Sequence, residues 1–223
     1  MRHALSYSRY TNTDCWWKFR KVYLDKAPTL AADYLEFGSI VHELIHDYLQ
    51  LLVKIGEDFA PHLADGVFLD YVRKATDRDG KPKTFIKPEA IDEERRLLAK
   101  FAGWFRLDRA RLWQLEAPMA ITWDGEPCDW WAKDVWLRAK PDLPYVDGPF
   151  VELWDWKSAR YALPNDEAVQ THLQAKTLGL IFHQFNPAIH EARVNFAFIR
   201  YGVVRRGYFQ AKDFTETMDF WKA

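Results

Sequence analysis

Hydrophobic residues recur between residues 37 and 55 at the spacing that marks one face of an α-helix. They are Phe37, Val41, Leu44, Ile45, Tyr48, Leu51, Leu52 and Ile55. Because side chains three and four positions apart form a stripe along a helix, this segment predicts an amphipathic helix. Local patterns predict three more helices before residue 115: one capped by Ser6, a short one over residues 64–75, and a long one over residues 88–113.

The pattern changes after residue 115. Runs rich in β-branched and aromatic residues cover 115–123, 134–146 and 150–158, and they predict strands. A helix over 165–185 follows, capped by Asn165 or Asp166. A hairpin over 192–211, turning near Gly202, and a short terminal helix complete the chain. The order β-β-β-α-β-β behind an all-helical first half predicts an α/β or α+β fold.

Composition supports a single domain. The 223 residues are 48% hydrophobic, which is enough for a sizeable core, and no composition shift or repeat marks a boundary. We therefore predict one domain over residues 1–223, mainly helical over 1–114 and β-rich over 115–223. The net charge of −1 disfavours a protein that coats nucleic acid, but it is compatible with a nuclease whose carboxylates offset a local basic groove.

Cysteine content and hydropathy restrict the expected location. Two cysteines, Cys15 and Cys128, are too few for a disulfide framework. The first residues lack an apolar run, and no stretch of about eighteen apolar residues occurs, so we expect neither a signal segment nor a membrane span. The expected location is cytoplasmic.

The most informative chemistry lies in RAKPDLPYVDGPFVELWDWKSAR, residues 138–160. Asp155 and Lys157 are two positions apart, so in a strand they project from the same face. The position of Asp142 depends on the hairpin register. A two-residue turn at Asp147-Gly148 places it opposite Leu153, on the face of Asp155 and Lys157. A four-residue loop places it opposite Asp155, and a three-residue loop places it on the other face.

Two carboxylates and a lysine on one face suit a divalent-metal site for phosphodiester cleavage. Hard oxygen ligands bind Mg²⁺ and leave coordination positions for phosphate and water. A bound divalent metal acidifies water and stabilises the developing negative charge. The alternative is a solvated Asp-x-Lys on an exposed strand. Because large tryptophans flank Asp155, we predict a central strand, in which buried charges need partners.

A second motif, His42-Glu43-Leu44-Ile45-His46, matches the H-E-x-x-H pattern of zinc peptidases. The two histidines lie on one helix face, and the glutamate between them can act as a general base. The extended form of this motif places a glycine and a third histidine further along the helix, where this chain has Leu49 and Leu52. A zinc peptidase therefore remains an alternative hypothesis, and it leaves the aspartates and the lysine unexplained.

The chain resembles the RecB-type exonuclease branch of the PD-(D/E)xK nuclease superfamily, which includes phage and CRISPR-associated exonucleases. Four segments within residues 5–185 carry the resemblance, in the order found in that branch: ALSYSRYTNTDCWWKFRKVYL, FGSIVHELIHDYL, KPDLPYV…VELWDWKSAR and AVQTHLQAKTLGL. The resemblance implies a restriction-endonuclease-like core, with a central mixed β-sheet flanked by helices, plus an N-terminal helical portion. It also implies a deoxyribonuclease that depends on Mg²⁺ or Mn²⁺.

The resemblance implies roles for particular residues. Asp142, Asp155 and the carbonyl of Trp156 would be metal ligands, with His42 as an additional ligand and Glu116 as an accessory carboxylate. Lys157 would be the catalytic lysine. The glutamine of the fourth segment is either Gln170 or Gln174, which lie four apart on one helix face.

This sequence departs from the family pattern in three ways. Lys140-Pro141 replaces a small, glycine-containing approach to the first aspartate, and Leu178 stands where a tyrosine is usual. Some relatives bind an iron–sulfur cluster through four cysteines, and only two are present, so we expect no cluster. The altered approach to the first aspartate and the missing tyrosine keep a third hypothesis open, a degenerate nuclease fold that binds DNA or protein without cleaving.

Phosphate contacts are expected from basic residues near the site. The candidates are Arg138, Lys140, Arg160, Lys18, Arg20 and Lys21. The implied partners are single-stranded DNA or duplex ends, with a helicase or recombinase as a protein partner.

Overall fold

The computed structural model describes Arg20 and residues 33–74 and 88–223. The α-helices of these residues are α1 (Asp33–Ile55), α2 (Ala64–Lys74), α3 (Pro88–Trp104), α4 (Asp166–Gln170), α5 (Leu173–Phe185) and α6 (Ala211–Lys222). The strands are β1 (Met119–Thr122), β2 (Pro127–Cys128), β3 (Val135–Ala139), β4 (Leu143–Asp147), β5 (Phe150–Lys157), β6 (Glu191–Phe198) and β7 (Val203–Gln210). The predicted helix after Ser6 lies outside the described residues.

The described strands form two sheets. One is antiparallel, in the order β2-β1-β3, and the other is mixed, in the order β4-β5-β6-β7. In the mixed sheet only β5 and β6 run parallel, because α4 and α5 carry the chain back to the starting edge between them. The predicted α/β fold, with a mixed sheet flanked by helices, is confirmed.

The two faces of β5 bury different residues. Trp154 and Trp156 pack into a cluster with α1 and α3, whereas Val151 and Leu153 pack into a second cluster with α5. This alternation is the two-residue period of a strand buried on both sides. It places the side chain of Asp155 on the α5 face, between the two tryptophans that point to the helical half.

Helix α3 is shorter than predicted. It ends at Trp104, whereas the pattern predicts a helix to residue 113. Beyond it the backbone finds other partners: the Leu107 N–H donates to the Asp58 carbonyl (2.9 Å), and the Trp113 N–H donates to the Pro144 carbonyl beside β4 (3.1 Å). The arginines after Trp104 therefore do not stabilise a helix terminus.

Two other predicted elements are divided. The run over 134–146 forms β3 and β4, which belong to different sheets. The helix over 165–185 breaks between α4 and α5 because His172 is extended, and its ring Nδ1 accepts the Gln174 N–H at 3.3 Å to cap α5. The predicted Asn165 cap is confirmed, since its side chain accepts the Ala168 N–H. The predicted turn at Gly202 is also confirmed, with φ of 65°.

No helix within the described ranges is long and apolar enough to cross a membrane.

Phe101 joins the helical half to β5. Its ring is fully buried and lies 5.0 Å from the Trp156 ring and 4.9 Å from the Phe105 ring, measured between centroids. We expect Phe101→Ala to lower the free energy of unfolding by about 3–5 kcal/mol, measured by urea unfolding, because the lost ring leaves a cavity. Trp131→Ala is the control: that ring is 78% exposed, so we expect a change within about 0.5 kcal/mol. Equal effects in the two variants would contradict this packing.

Candidate active site

The β4–β5 hairpin brings the two aspartates together. Leu143 pairs with Trp154 and Asp147 pairs with Phe150, so the connecting loop is Gly148-Pro149. One position beyond the ladder, this register sets Asp142 opposite Asp155. This is the register predicted for a four-residue loop. The loop itself has only two residues, because Asp147 and Phe150 still pair at the end of the hairpin.

Pro141 explains how the ladder ends at the site. The Lys157 carbonyl accepts the Ile199 N–H at 3.1 Å on the β6 side, so the main-chain groups of the preceding residue, Trp156, point towards β4. In this register the residue opposite Trp156 is Pro141, which has no N–H to donate. The Trp156 N–H donates to Asp142 Oδ2 at 2.6 Å. The ladder thus supplies no donor from position 141 to the Trp156 carbonyl.

Asp155, Lys157 and Gln174 form a closed triangle. Lys157 Nζ lies 2.5 Å from Asp155 Oδ2 and donates to Gln174 Oε1 at 2.7 Å. Gln174 Nε2 donates to Asp155 Oδ1 at 3.1 Å. Gln174 occupies the first turn of α5, where the His172 cap fixes the helix start. The triangle holds the ammonium beside the second carboxylate.

His42 reaches the first aspartate from the helical half. Its Nδ1 lies 3.4 Å from Asp142 Oδ1. One turn earlier on α1, a Cβ on Gly38 would lie 2.9 Å from the Ser158 hydroxyl. The absence of a side chain at Gly38 therefore allows α1 to approach the end of β5 closely enough for His42 to contact Asp142.

The two histidines of the H-E-x-x-H motif contact different carboxylates. His46 Nδ1 lies 3.8 Å from Glu116 Oε1, and Glu116 Oε2 accepts from Lys140 Nζ at 2.5 Å. Glu116 lies before β1, which begins at Met119, although the strand predicted over 115–123 includes it. It has φ of 48°, and its N–H donates to the Asp142 carbonyl at 2.9 Å. This second cluster therefore adjoins the first through the backbone of Asp142.

Burial and neighbouring charges shape the site. Asp142 and Asp155 are only 7% and 6% exposed. Burial raises the pKa of Asp155, with the Asp142 carboxylate acting in the same direction and the Lys157 ammonium against it. Burial alone would lower the pKa of His42, but the Asp142 and Asp155 carboxylates together more than offset this and raise it above the ordinary value. Two buried carboxylates beside a single ammonium favour a further positive charge.

These groups line one open cleft of about 1220 Å³ between α1 and the mixed sheet. The predicted site residues that line it are His42, Glu116, Lys140, Asp142, Asp155, Trp156, Lys157, Arg160 and Gln174. Two unpredicted residues, Glu93 and Arg200, also line it and form an ion pair with each other. Parallel strands end at the same edge of a sheet, so a residue just after β6 is expected near Lys157 at the end of β5. Arg200 could have been predicted as a site residue on that ground.

Other predicted residues lie elsewhere. Gln170 does not reach the carboxylates, because its side chain bonds the backbone of Tyr208 on β7, accepting at 2.7 Å and donating at 2.5 Å. The Arg138 guanidinium lies 5.2 Å from the ring centroids of Trp130 and of Trp131, away from the cleft. Arg20 is exposed and does not line the cleft, while Lys18 and Lys21 lie outside the described residues.

The donor set fits a hard divalent cation better than zinc. Its carboxylate and carbonyl oxygens are hard ligands, whereas protein zinc sites are built mainly from cysteine and histidine. Mg²⁺ is commonly held by one or two carboxylates and keeps several waters. Asp142, immediately before β4, and Asp155, on β5, lie beside a main-chain carbonyl and supply that kind of ligand set.

Sequence comparison agrees with the geometry. A family model of the PD-(D/E)XK nuclease superfamily matches residues 4–217. The chain belongs to the PD-(D/E)XK nuclease superfamily. A comparison with curated proteins finds no significant match. PD-(D/E)XK nucleases generally use divalent metals such as Mg²⁺, and the family implies a DNA substrate.

The His172 cap gives folding a pH dependence. Burial and the Lys157 ammonium lower the pKa of His172 below its ordinary value, and only the neutral ring can accept the Gln174 N–H. The unfolded chain therefore binds the proton more readily. Stability from this group is complete above about pH 6.5 and is lost as the pH falls through that value and then through the lowered pKa.

We expect His172→Asn to lose less stability than the wild type when the pH falls from about 7.5 to about 5.5. Asparagine caps without titrating, and the cap that protonation removes contributes about 1 kcal/mol. The measurement is the free energy of unfolding in urea at each pH. Parallel pH dependences in the two proteins would contradict this role.

Proposed function

We propose that this PD-(D/E)XK protein is a divalent-metal-dependent deoxyribonuclease that uses Mg²⁺ or Mn²⁺ and acts as an exonuclease. The observation that carries the proposal is the proximity of Asp142, immediately before β4, to Asp155 on β5. The Lys157–Gln174 pair lies on one side of them and His42 on the other. These groups surround two buried carboxylates at the floor of an open cleft.

In this proposal Asp142, Asp155 and the Trp156 carbonyl hold the cation, and His42 is an additional ligand or fixes the orientation of Asp142. When bound, the cation supplies positive charge at the phosphate and lowers the pKa of a bound water. The Trp156 N–H holds one oxygen of Asp142, which leaves Oδ1 to face His42 and the cleft. The Pro141 interruption supports the role of the carbonyl.

Lys157 is the catalytic lysine in this proposal. Its ammonium orients the attacking water or neutralises the charge that develops on the phosphate in the transition state. Gln174 positions it, because the amide bonds Lys157 and Asp155 at once. Lys140 and Arg160 contact phosphates at the cleft walls. Glu116 serves as an accessory carboxylate that orients Lys140.

Finer assignments follow from the order of the sequence motifs. We assign the chain to the RecB-type branch, with single strands or duplex ends as substrates. It acts in the cytoplasm in DNA repair, recombination or phage DNA processing, with a helicase or recombinase as partner. The match of the family model over residues 4–217 supports the superfamily to which this branch belongs.

The proposal is tested by cleavage of 5′- or 3′-labelled single-stranded and duplex DNA with Mg²⁺, Mn²⁺, Zn²⁺ or EDTA. We expect Asp155→Asn and Lys157→Ala each to reduce the cleavage rate by about 10²-fold or more, because each removes a group that stabilises the transition state. EDTA should abolish cleavage in the wild type. The position of the label in the products distinguishes exonuclease from endonuclease action.

Matched controls are available in the same chain. Asp147→Asn alters an exposed aspartate on the same hairpin, and Lys133→Ala removes an exposed lysine remote from the cleft. Both should cleave at the wild-type rate. Wild-type rates in the Asp155 and Lys157 variants would overturn the proposed site. DNA binding without cleavage in any metal would favour the degenerate fold, and casein cleavage that needs Zn²⁺ and Glu43 would favour the peptidase.

The two glutamines provide a paired prediction. Gln174→Leu removes the bonds to Asp155 and Lys157, so we expect a fall in cleavage rate of about tenfold or more. Gln170→Leu removes two hydrogen bonds to β7 at Tyr208, so we expect a loss of about 1–3 kcal/mol in the free energy of unfolding and a near-normal rate for the folded protein. Equal rates in the two variants would overturn the assignment of Gln174.

A further inference from the structure

We propose that Tyr161, on the rim of the cleft, is a stacking site for an unpaired nucleobase of DNA, with Arg160 beside it as the contact to the adjoining phosphate. This inference rests on the proposed nuclease function and deepens it, because it adds a requirement that bases next to the reacting phosphate be unpaired. Four features of the rim carry it.

The first feature is the meeting of two connections at the same edge of the sheet. Strands β5 and β6 are parallel and end together, with Lys157 paired to Phe198. The loop after β5 and the turn after β6 are therefore neighbours, and the Ile199 N–H donates to the Lys157 carbonyl at 3.1 Å. The rim is thus a direct continuation of the strand that carries the proposed catalytic lysine.

The second feature is the way the loop after β5 is anchored. Ala162 and Leu163 pack against the core on the α5 face, and the Arg205 Nε donates to the Leu163 carbonyl at 3.0 Å. The Tyr201 hydroxyl, from the turn after β6, donates to the Arg160 carbonyl. The backbone on both sides of Tyr161 is therefore held, and a fixed platform loses little entropy when a ligand binds.

The third feature is the exposure of the Tyr161 ring, which is 84% exposed. Its two neighbours in sequence are placed differently, because Arg160 lines the cleft and Ala162 packs on the core. An exposed aromatic ring on an anchored loop offers a face to a flat apolar ligand. Nucleobases stack on such rings whatever their sequence, because every base presents a π-face.

The fourth feature is the charge of the rim. Arg160 and Arg200 line the cleft, and Lys100 donates to the Arg200 carbonyl at 2.8 Å. The nearby carboxylates are engaged: Glu93 with Arg200, and Asp166 with the Arg206 N–H. The Arg160 guanidinium next to an aromatic ring matches a single strand, which presents phosphates and bases together. In the interior of a duplex the bases are stacked on one another, so only the terminal pairs could offer a face to the ring.

The test measures DNA binding in EDTA, where cleavage does not interfere, by fluorescence anisotropy of labelled oligonucleotides. We expect Tyr161→Ala to weaken binding of single-stranded DNA by about fivefold to tenfold, in the lower part of the range for one base–aromatic stack. Tyr161→Phe keeps the ring and should bind like the wild type. Blunt duplex exposes a base face only at its two ends, so the change to Tyr161→Ala should affect its binding much less than that of single-stranded DNA.

Two further arms identify the interaction as stacking. An abasic sugar, moved along the strand, should weaken wild-type binding at one position and have no effect there on Tyr161→Ala. The salt dependence of binding should be unchanged in Tyr161→Ala, whereas Arg160→Gln should reduce its logarithmic slope by about 0.7, the value for one phosphate contact of a single strand. Trp131→Ala, which removes an exposed ring away from the cleft, should bind like the wild type.

Wild-type affinity of Tyr161→Ala for single-stranded DNA would overturn the inference, and so would an equal loss on blunt duplex or a loss matched by Trp131→Ala. The outcome is separable from that of the proposed function. A protein that binds as expected but cleaves nothing overturns the nuclease proposal and retains this site. A protein that cleaves DNA but whose binding does not depend on Tyr161 overturns this site alone.

Discussion

The geometry of the site depends on the point at which the ladder between β4 and β5 stops. Regular pairing runs from Phe150 to Trp154 on β5, and the next position sets Asp142 opposite Asp155. Pro141 then removes the donor that an ordinary strand would present to Trp156. The Trp156 carbonyl therefore has no donor from that position, while the Trp156 N–H donates to the Asp142 carboxylate at 2.6 Å. One interruption thus brings a carboxylate, a second carboxylate and a carbonyl to the same place.

The helical half helps to stabilise the buried carboxylates at this interruption. Asp142 and Asp155 are almost fully buried, and burial of two like charges is unfavourable without partners. Asp142 contacts His42 and accepts the Trp156 N–H. Asp155 pairs with Lys157 and accepts from Gln174. The aromatic cluster around Phe101 and Trp156 fixes β5 against α1 and α3. The packing of the core and the partners of the buried carboxylates therefore both depend on β5.

Sequence periodicity was sufficient for features that arise within one element or one hairpin. The helix containing His42, the shared face of Asp155 and Lys157, and the turn at Gly202 all follow from local spacing. It could not select between Gln170 and Gln174, because both lie on one predicted helix face. The break at His172 and the β7 edge, which binds Gln170, are tertiary features.

Other differences between the predicted and the observed structure also arise from contacts between residues far apart in sequence. The end of α3 at Trp104 depends on bonds to Asp58 and to β4, far away in sequence. Arg138 has the charge expected of a DNA contact, yet its neighbours Trp130 and Trp131 provide cation–π partners that hold it elsewhere. Arg200 reaches the cleft only because β6 returns parallel to β5. Such contacts require knowledge of strand order, which no local pattern contains.

The charge balance of the cleft connects these observations to binding. Its carboxylates among the described lining residues are Glu43, Glu93, Glu116, Asp142 and Asp155, and its lysines and arginines are Lys140, Lys157, Arg160 and Arg200. Three of the cations are paired with carboxylates of the cleft itself: Lys157 with Asp155, Lys140 with Glu116, and Arg200 with Glu93.

A phosphate entering this cleft would therefore meet no surplus of positive charge from the described side chains. A divalent cation on Asp142 and Asp155 would reverse that balance at the floor of the cleft, where burial makes charge interactions strongest. Substrate affinity and chemistry would then depend on the same ion. The rim, where Arg160 and Tyr161 lie, would supply the part of the affinity that does not depend on metal.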